Sequence, residues 1–150
     1  IIEKANVIGV SCSVLTKGIL PIELADMPLN NEYGITVVTL DEDFRKEMEP
    51  GAAPMEERIH ALEELSKRGC YTWISIEPYP TPNIHEQNLE QLLERVSFAD
   101  RIIFGRLHYN KEVTAYKEHQ NFYNACAKKV IAFCDEHKIS YHIKKGTLVE

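Results

Sequence analysis

Short runs rich in β-branched and aromatic residues alternate with helical patterns along the whole chain, and this alternation restricts the fold more than any other feature. The strand-like runs are residues 10–16 (VSCSVLT), 34–40 (GITVVTL), 71–76 (YTWISI), 101–107 (RIIFGRL) and 140–144 (SYHIK). Residues 21–26 read as a short helix, and Met27-Pro28-Leu29-Asn30-Asn31 as a turn. After a polar, turn-prone stretch containing Glu49-Pro50-Gly51, the clearest helix starts at Pro54 and is stopped by Gly69. Its buried stripe is Met55, Ile59, Leu62 and Leu65. Leu89, Leu92, Leu93 and Val96 mark a second amphipathic helix. A long helical region over 112–138 carries Tyr116, Tyr123, Cys126, Val130, Phe133 and His137 on one side.

Strands separated by helices pair in parallel through right-handed crossovers, which makes the fold α/β. With 150 residues and no linker or low-complexity tract, the chain reads as a single domain over 1–150. Two architectures remain open, a doubly wound sheet or a slice of a β/α barrel. Both place a functional site at the C-terminal ends of the strands.

Composition narrows the function classes. An apolar fraction of 44% and a charged fraction of 27% describe an ordinary soluble protein. The net charge of −6 argues against binding nucleic acid by bulk electrostatics, and Lys128, Lys129, Lys144 and Lys145 read as a solvated face. The apolar runs are too short to span a bilayer, and no basic-then-apolar leader is present, so the expected location is cytoplasmic. Cys12, Cys70, Cys126 and Cys134 stand at wide, irregular spacings without a CxxC, as expected of reduced, mostly buried thiols that ligate no metal. The opening Ile1-Ile2-Glu3-Lys4 reads like the middle of a helix and suggests a fragment.

At the strand ends stand Thr16, Lys17, Thr39, Asp41, Glu77, Pro78, Arg106, His108, Tyr109 and Asn110. Lys17 precedes Gly18 and is either a binder of an anionic group or a turn lysine. Arg58 lies at the margin of the helical stripe, where its fork either clamps a ligand carboxylate or pairs with Glu49 or Glu77. Arg106, His108 and Tyr109 form a polar cluster after the fourth run, whereas His60, His85 and His119 read as bland. No GxGxxG, P-loop, HExxH or GxSxG occurs.

The stretch from Val14 to Pro82 carries a resemblance. VLTKG, then the spacing Glu49-Pro50, Ala53-Pro54, Glu57-Arg58, Ala61, Leu65 and Gly69, then WISIEPYPTPNI, resembles the spore photoproduct lyase-like group of radical S-adenosylmethionine proteins. The resemblance implies a partial, TIM-like parallel barrel in which a CxxxCxxC loop holds a [4Fe-4S] cluster. Reductive cleavage of S-adenosylmethionine there yields a radical that abstracts hydrogen from a substrate. It also implies cofactor contacts at Lys17 and Thr36, with Arg58 partnering a carboxylate or the loop near it. Glu77, Arg106 and His108 would line the substrate side. Nucleic acid as substrate is implied by the resemblance alone.

No CxxxCxxC is present. If VLTKG is the family's third strand, the cluster motif lies upstream, and this chain alone is expected to bind no cluster or cofactor and to be inactive. A first strand without its neighbours exposes a sheet edge, which a second copy is expected to cover as a homodimer. The alternatives are a non-catalytic α/β binding module, or a different β/α-barrel enzyme that uses Glu77, Arg106 and His108 without iron.

Overall fold

The computed structural model describes residues 1–149. Five strands, β1 (Ser13–Thr16), β2 (Glu32–Thr36), β3 (Tyr71–Tyr79), β4 (Arg101–Arg106) and β5 (Ser140–Ile143), form one sheet. All four pairings are parallel, and the spatial order is the sequence order β1-β2-β3-β4-β5. A doubly wound sheet reverses its order at a switch point. This sheet never reverses, so the architecture is a run of β/α units such as a barrel contributes, with β1 and β5 as its edges.

A single hand of crossover over sequential strands puts the helices on one face. The helices are α1 (Ile2–Val7), α2 (Glu42–Met48), α3 (Met55–Lys67), α4 (Leu89–Arg95), α5 (Lys111–Ala115) and α6 (His119–His137). α3 packs on β2 and β3, and α6 on β4 and β5. The core lies between these layers. Ile35, Ile74, Ile76, Ile102 and Phe104 meet Ile59, Leu62 and Leu65 of α3, Leu92 and Leu93 of α4, and Ala127, Val130 and Cys134 of α6. Among the described residues no helix is long and apolar enough to cross a membrane.

Several expected boundaries move. The first strand starts at Ser13 rather than residue 10, and β2 is displaced toward the N-terminus of the expected 34–40 run. Val37 still donates its N–H to Ser75 O at 2.9 Å, so the ladder fades beyond β2 rather than stopping. β3 runs past residue 76, the end of the expected run, to Tyr79, through a register irregularity and a cis Glu77–Pro78 bond. The short helix expected at 21–26 is a 3-10 turn over Ile22–Asp26.

The polar stretch before Pro54 contains α2, which has no apolar stripe to announce it. Its N-cap is Asp41, whose Oδ1 accepts from Asp43 N at 2.9 Å and Phe44 N at 3.1 Å. Those backbone donors, Phe44 foremost, hold the Asp41 carboxyl below its usual range. The long region over 112–138 is two helices. Asn110 caps α5, and the chain breaks at Tyr116 before α6 resumes.

Among the described residues, the second face of the sheet carries no helices. Along β3 the side chains of Tyr71, Trp73, Ser75 and Glu77 alternate with the core-facing Thr72, Ile74 and Ile76. Arg101 lies over the Tyr71 and Trp73 rings, 5.5 and 5.7 Å from their centroids, and reaches Glu32 Oε2 at 2.7 Å. Two glycines make room for this layer. A Cβ on Gly34 would stand 2.5 Å from Trp73 Cδ2, and one on Gly105 would stand 2.7 Å from Glu77 Oε1.

The two notches differ in rigidity, since one receives a pinned indole and the other the end of a flexible carboxylate. Gly34→Ala is therefore expected to lower the unfolding free energy by about 1–3 kcal/mol, the usual cost of overpacking. Gly105→Ala is expected to cost less. Urea titrations of the two variants beside the parent test the ranking, and equal losses would contradict it.

Candidate functional site

The C-terminal ends of β1 and β2 meet the turn between α2 and α3. Glu49, the last residue of this approach, precedes Pro50 and Gly51, and Gly51 takes φ +84°, a conformation that suits glycine. The turn is tied to β1 by Ala53 N donating to Lys17 O at 3.0 Å. It is tied to α2 by Arg45 Nη1, which donates to Ala52 O at 2.8 Å while the same guanidinium pairs with Glu42. Glu42 in turn accepts from Met55 N at 3.2 Å and so caps α3, whose N-terminus begins with Pro54 and has no side-chain cap of its own. The Arg45 hydrogen bond, then the Met55 N–H, hold the Glu42 carboxyl below its usual range.

At the centre is a three-charge chain. Glu49 Oε2 accepts from Arg58 Nη2 at 2.9 Å, and Lys17 Nζ lies 2.9 Å from Glu49 Oε1 without hydrogen-bond alignment. Arg58 Nη1 donates to the carbonyl of Thr36 at 2.9 Å. Arg58 is 0% exposed, so the margin position expected for it is in fact fully interior. Its fork is occupied by Glu49, one of the two carboxylates named for the ion-pair reading, and by the end of β2. It touches no open surface.

Lys17 differs. Its side chain is 47% exposed and borders a groove of about 600 Å³ lined also by Thr16, Gly18 and residues 49–53. Two cations share one carboxylate, which leaves one positive charge in excess at the ends of β1 and β2. Thr36 is buried, beside Ser75 in the sheet register, on the helix-free side with Gly34. Glu49 thus joins Lys17 to Arg58, and Arg58 in turn holds the backbone carbonyl of Thr36.

The other three candidates form two neighbouring groups. Arg106 Nε donates to His108 Nδ1 at 3.3 Å, which places the proton of the neutral ring on Nε2. Arg106 Nη1 also donates to Gln120 Oε1 at 3.3 Å, and its backbone N–H to Thr147 Oγ1 at 3.2 Å. Glu77 lies over Gly105 and pairs instead with Lys144 Nζ at 3.3 Å. Lys129 pairs with Glu90, so two of the late lysines, Lys129 and Lys144, serve separate ion pairs.

His85 is less bland than its loop position suggested. Its ring stacks on Phe44 with centroids 3.9 Å apart, and Nε2 stands 3.3 Å from Thr39 Oγ1. Among the described residues, no group of three or more His, Cys, Asp or Glu side chains could hold a metal ion. Cys70, Cys126 and Cys134 are buried, and burial pushes the last two thiols up to about 11, so they stay protonated at neutral pH.

Sequence reasoning missed Glu49 as the hub, Arg101 as the bridge from β4 to Glu32, and Lys144 as the partner of Glu77. A signal existed for the face itself. The order Tyr71, Trp73, Ser75, Glu77 has the strand period of two and contains no aliphatic residue.

No family model matches the chain. ORF301, an uncharacterized protein of Acidianus two-tailed virus, is 28% identical over 102 residues, which is 64% of this chain and 33% of that protein. Among solved structures, SuiB of Streptococcus suis superposes with a TM-score of 0.64 over 95% of this chain and 34% of SuiB. The identities are 15% for SuiB bound to the precursor peptide SuiA and 13% for SuiB bound to S-adenosylmethionine. At this identity the likeness is one of fold. The chain spans about a third of the length of each protein it matches.

The charge chain yields a stability contrast. Removing Arg58 leaves the buried Glu49 carboxylate with only the half-exposed Lys17 beside it, so Arg58→Ala is expected to cost about 3–5 kcal/mol. Lys17→Met removes a half-exposed partner and is expected to cost about 0–1 kcal/mol. Chemical denaturation of both variants decides, and comparable losses would show that Arg58 is not the interior anchor.

Proposed function

We propose that this chain is a slice of a radical S-adenosylmethionine barrel of the spore photoproduct lyase-like group, whose whole protein performs hydrogen abstraction on a substrate still to be identified. The observation that carries this reading is the excess positive charge at Lys17, held where β1 and β2 end beside a helix-free sheet face. The VLTKG turn and the Glu49-Pro50…Pro54…Arg58 spacing that resemble the group are the residues that build this feature. The fold likeness to SuiB, solved with S-adenosylmethionine bound, supports the radical S-adenosylmethionine barrel and not the choice of group within it.

In this reading Lys17 faces the carboxylate of S-adenosylmethionine, and the Thr36 hydroxyl lies on the same side of the sheet. Arg58 acts from behind through Glu49. Glu77, Arg106 and His108 line the way to the substrate. The cofactor supplies the radical chemistry, and the residues here bind, orient and exclude water. The thiols present do not suit a [4Fe-4S] cluster, since three are buried and no cluster of ligands forms among the described residues. The cluster's ligands therefore belong to another part of the polypeptide in this proposal, which sets the protein in a reducing, cytoplasmic compartment.

The test is a titration of the isotopically labelled chain with S-adenosylmethionine, followed by amide NMR shifts. The expected result is a saturable set of shifts confined to Lys17, Gly18, Thr36 and residues 49–53, absent in Lys17→Met. Shifts centred elsewhere, or none at millimolar ligand, would contradict the assignment.

A further inference from the structure

We infer that Glu49 is a positioning residue for ligand binding, acting by fixing the Lys17 ammonium at the mouth of the groove. The inference rests on Lys17 as the ligand contact and adds a residue that touches no ligand itself.

Glu49 is almost wholly buried, with a side chain 4% exposed, so its carboxylate is closed to any ligand in the groove. Its Oε2 is spent on Arg58, which is itself held by the Thr36 carbonyl at the end of β2. Among the described residues, its Oε1 is the single acidic atom within ion-pair distance of Lys17 Nζ. The path from the sheet to the ligand-facing ammonium therefore runs Thr36, Arg58, Glu49, Lys17, and only the last member reaches water.

A lysine loses as much as about 2 kcal/mol of side-chain freedom when it is fixed. A carboxylate rooted in the core has already ordered Nζ before a ligand arrives, and that preorganisation favours binding. The carboxylate also subtracts one charge from the groove. A pure field effect therefore predicts that removing it tightens anion binding, the opposite sign from positioning.

Glu49→Asp separates the two, because it keeps the charge and shortens the reach by about 1.5 Å, one carbon–carbon bond. The buried Arg58 retains first claim on the shorter carboxylate, leaving Lys17 untethered.

Two readouts test the inference on the full chain. Without ligand, ¹⁵N-lysine NMR should show an ammonium with slowed hydrogen exchange that is assigned to Lys17 by its loss in Lys17→Met and is lost likewise in Glu49→Asp. If the parent chain shows no such ammonium, the inference is overturned even should every variant fail to fold. With S-adenosylmethionine as probe, Glu49→Asp should weaken affinity roughly tenfold, about the worth of one charge-assisted contact. It should have no effect in a Lys17→Met background. An equal loss in both backgrounds would mark a merely structural role, and tighter binding by Glu49→Asp would mark competition, and either overturns the inference. If Lys17→Met alone leaves the affinity unchanged, it is the underlying site assignment that fails.

Discussion

The Arg58–Glu49 ion pair is the constraint on which the rest of this structure depends. Both charges are withdrawn from water, at a desolvation cost of several kcal/mol each, so they persist only because every part of the arrangement is fixed. The pair joins α3 to the end of β2 through the Thr36 carbonyl, and to the end of β1 through Lys17. Arg45 and Glu42 then lock the intervening turn to α2 and to the start of α3. Interior electrostatics, rather than additional apolar burial, position the loop that frames the groove.

The sheet gives that network its meaning. Because the strand order follows the sequence, the helices shield one face, and the side chains on the other are free to be polar. Glu32, Arg101 and Trp73 cover the end where the strands begin, while Lys17, Thr36 and Glu77 stand toward the end where they finish. Gly34 and Gly105 allow the bulky β3 side chains to lie down on neighbouring strands. The result is a surface with a closed base and a charged upper rim.

Much of this was legible in the sequence, for identifiable reasons. The α3 and α4 stripes repeat at helical spacing, and all four apolar residues of each are buried. The five strands were visible as β-branched runs, yet their ends were not, because Val37 and Val38 continue the composition of β2 after its pairing has faded. α2 was invisible because a cap and ion pairs hold it, and neither leaves a periodic apolar pattern. The break before α6 was hidden by helix-compatible residues on both sides. At the site, the choice between a barrel slice and a doubly wound sheet, and the interior position of Arg58, required strand order and burial, which one-dimensional spacing does not encode.

The most direct test of the account is a crystal structure of this chain soaked with S-adenosylmethionine. The account predicts a ligand carboxylate within hydrogen-bond distance of Lys17 Nζ, at the ends of β1 and β2, with the Glu49–Arg58 pair intact behind it. Ligand bound away from Lys17, or an Arg58 released from Glu49 to meet it, would contradict the central claim.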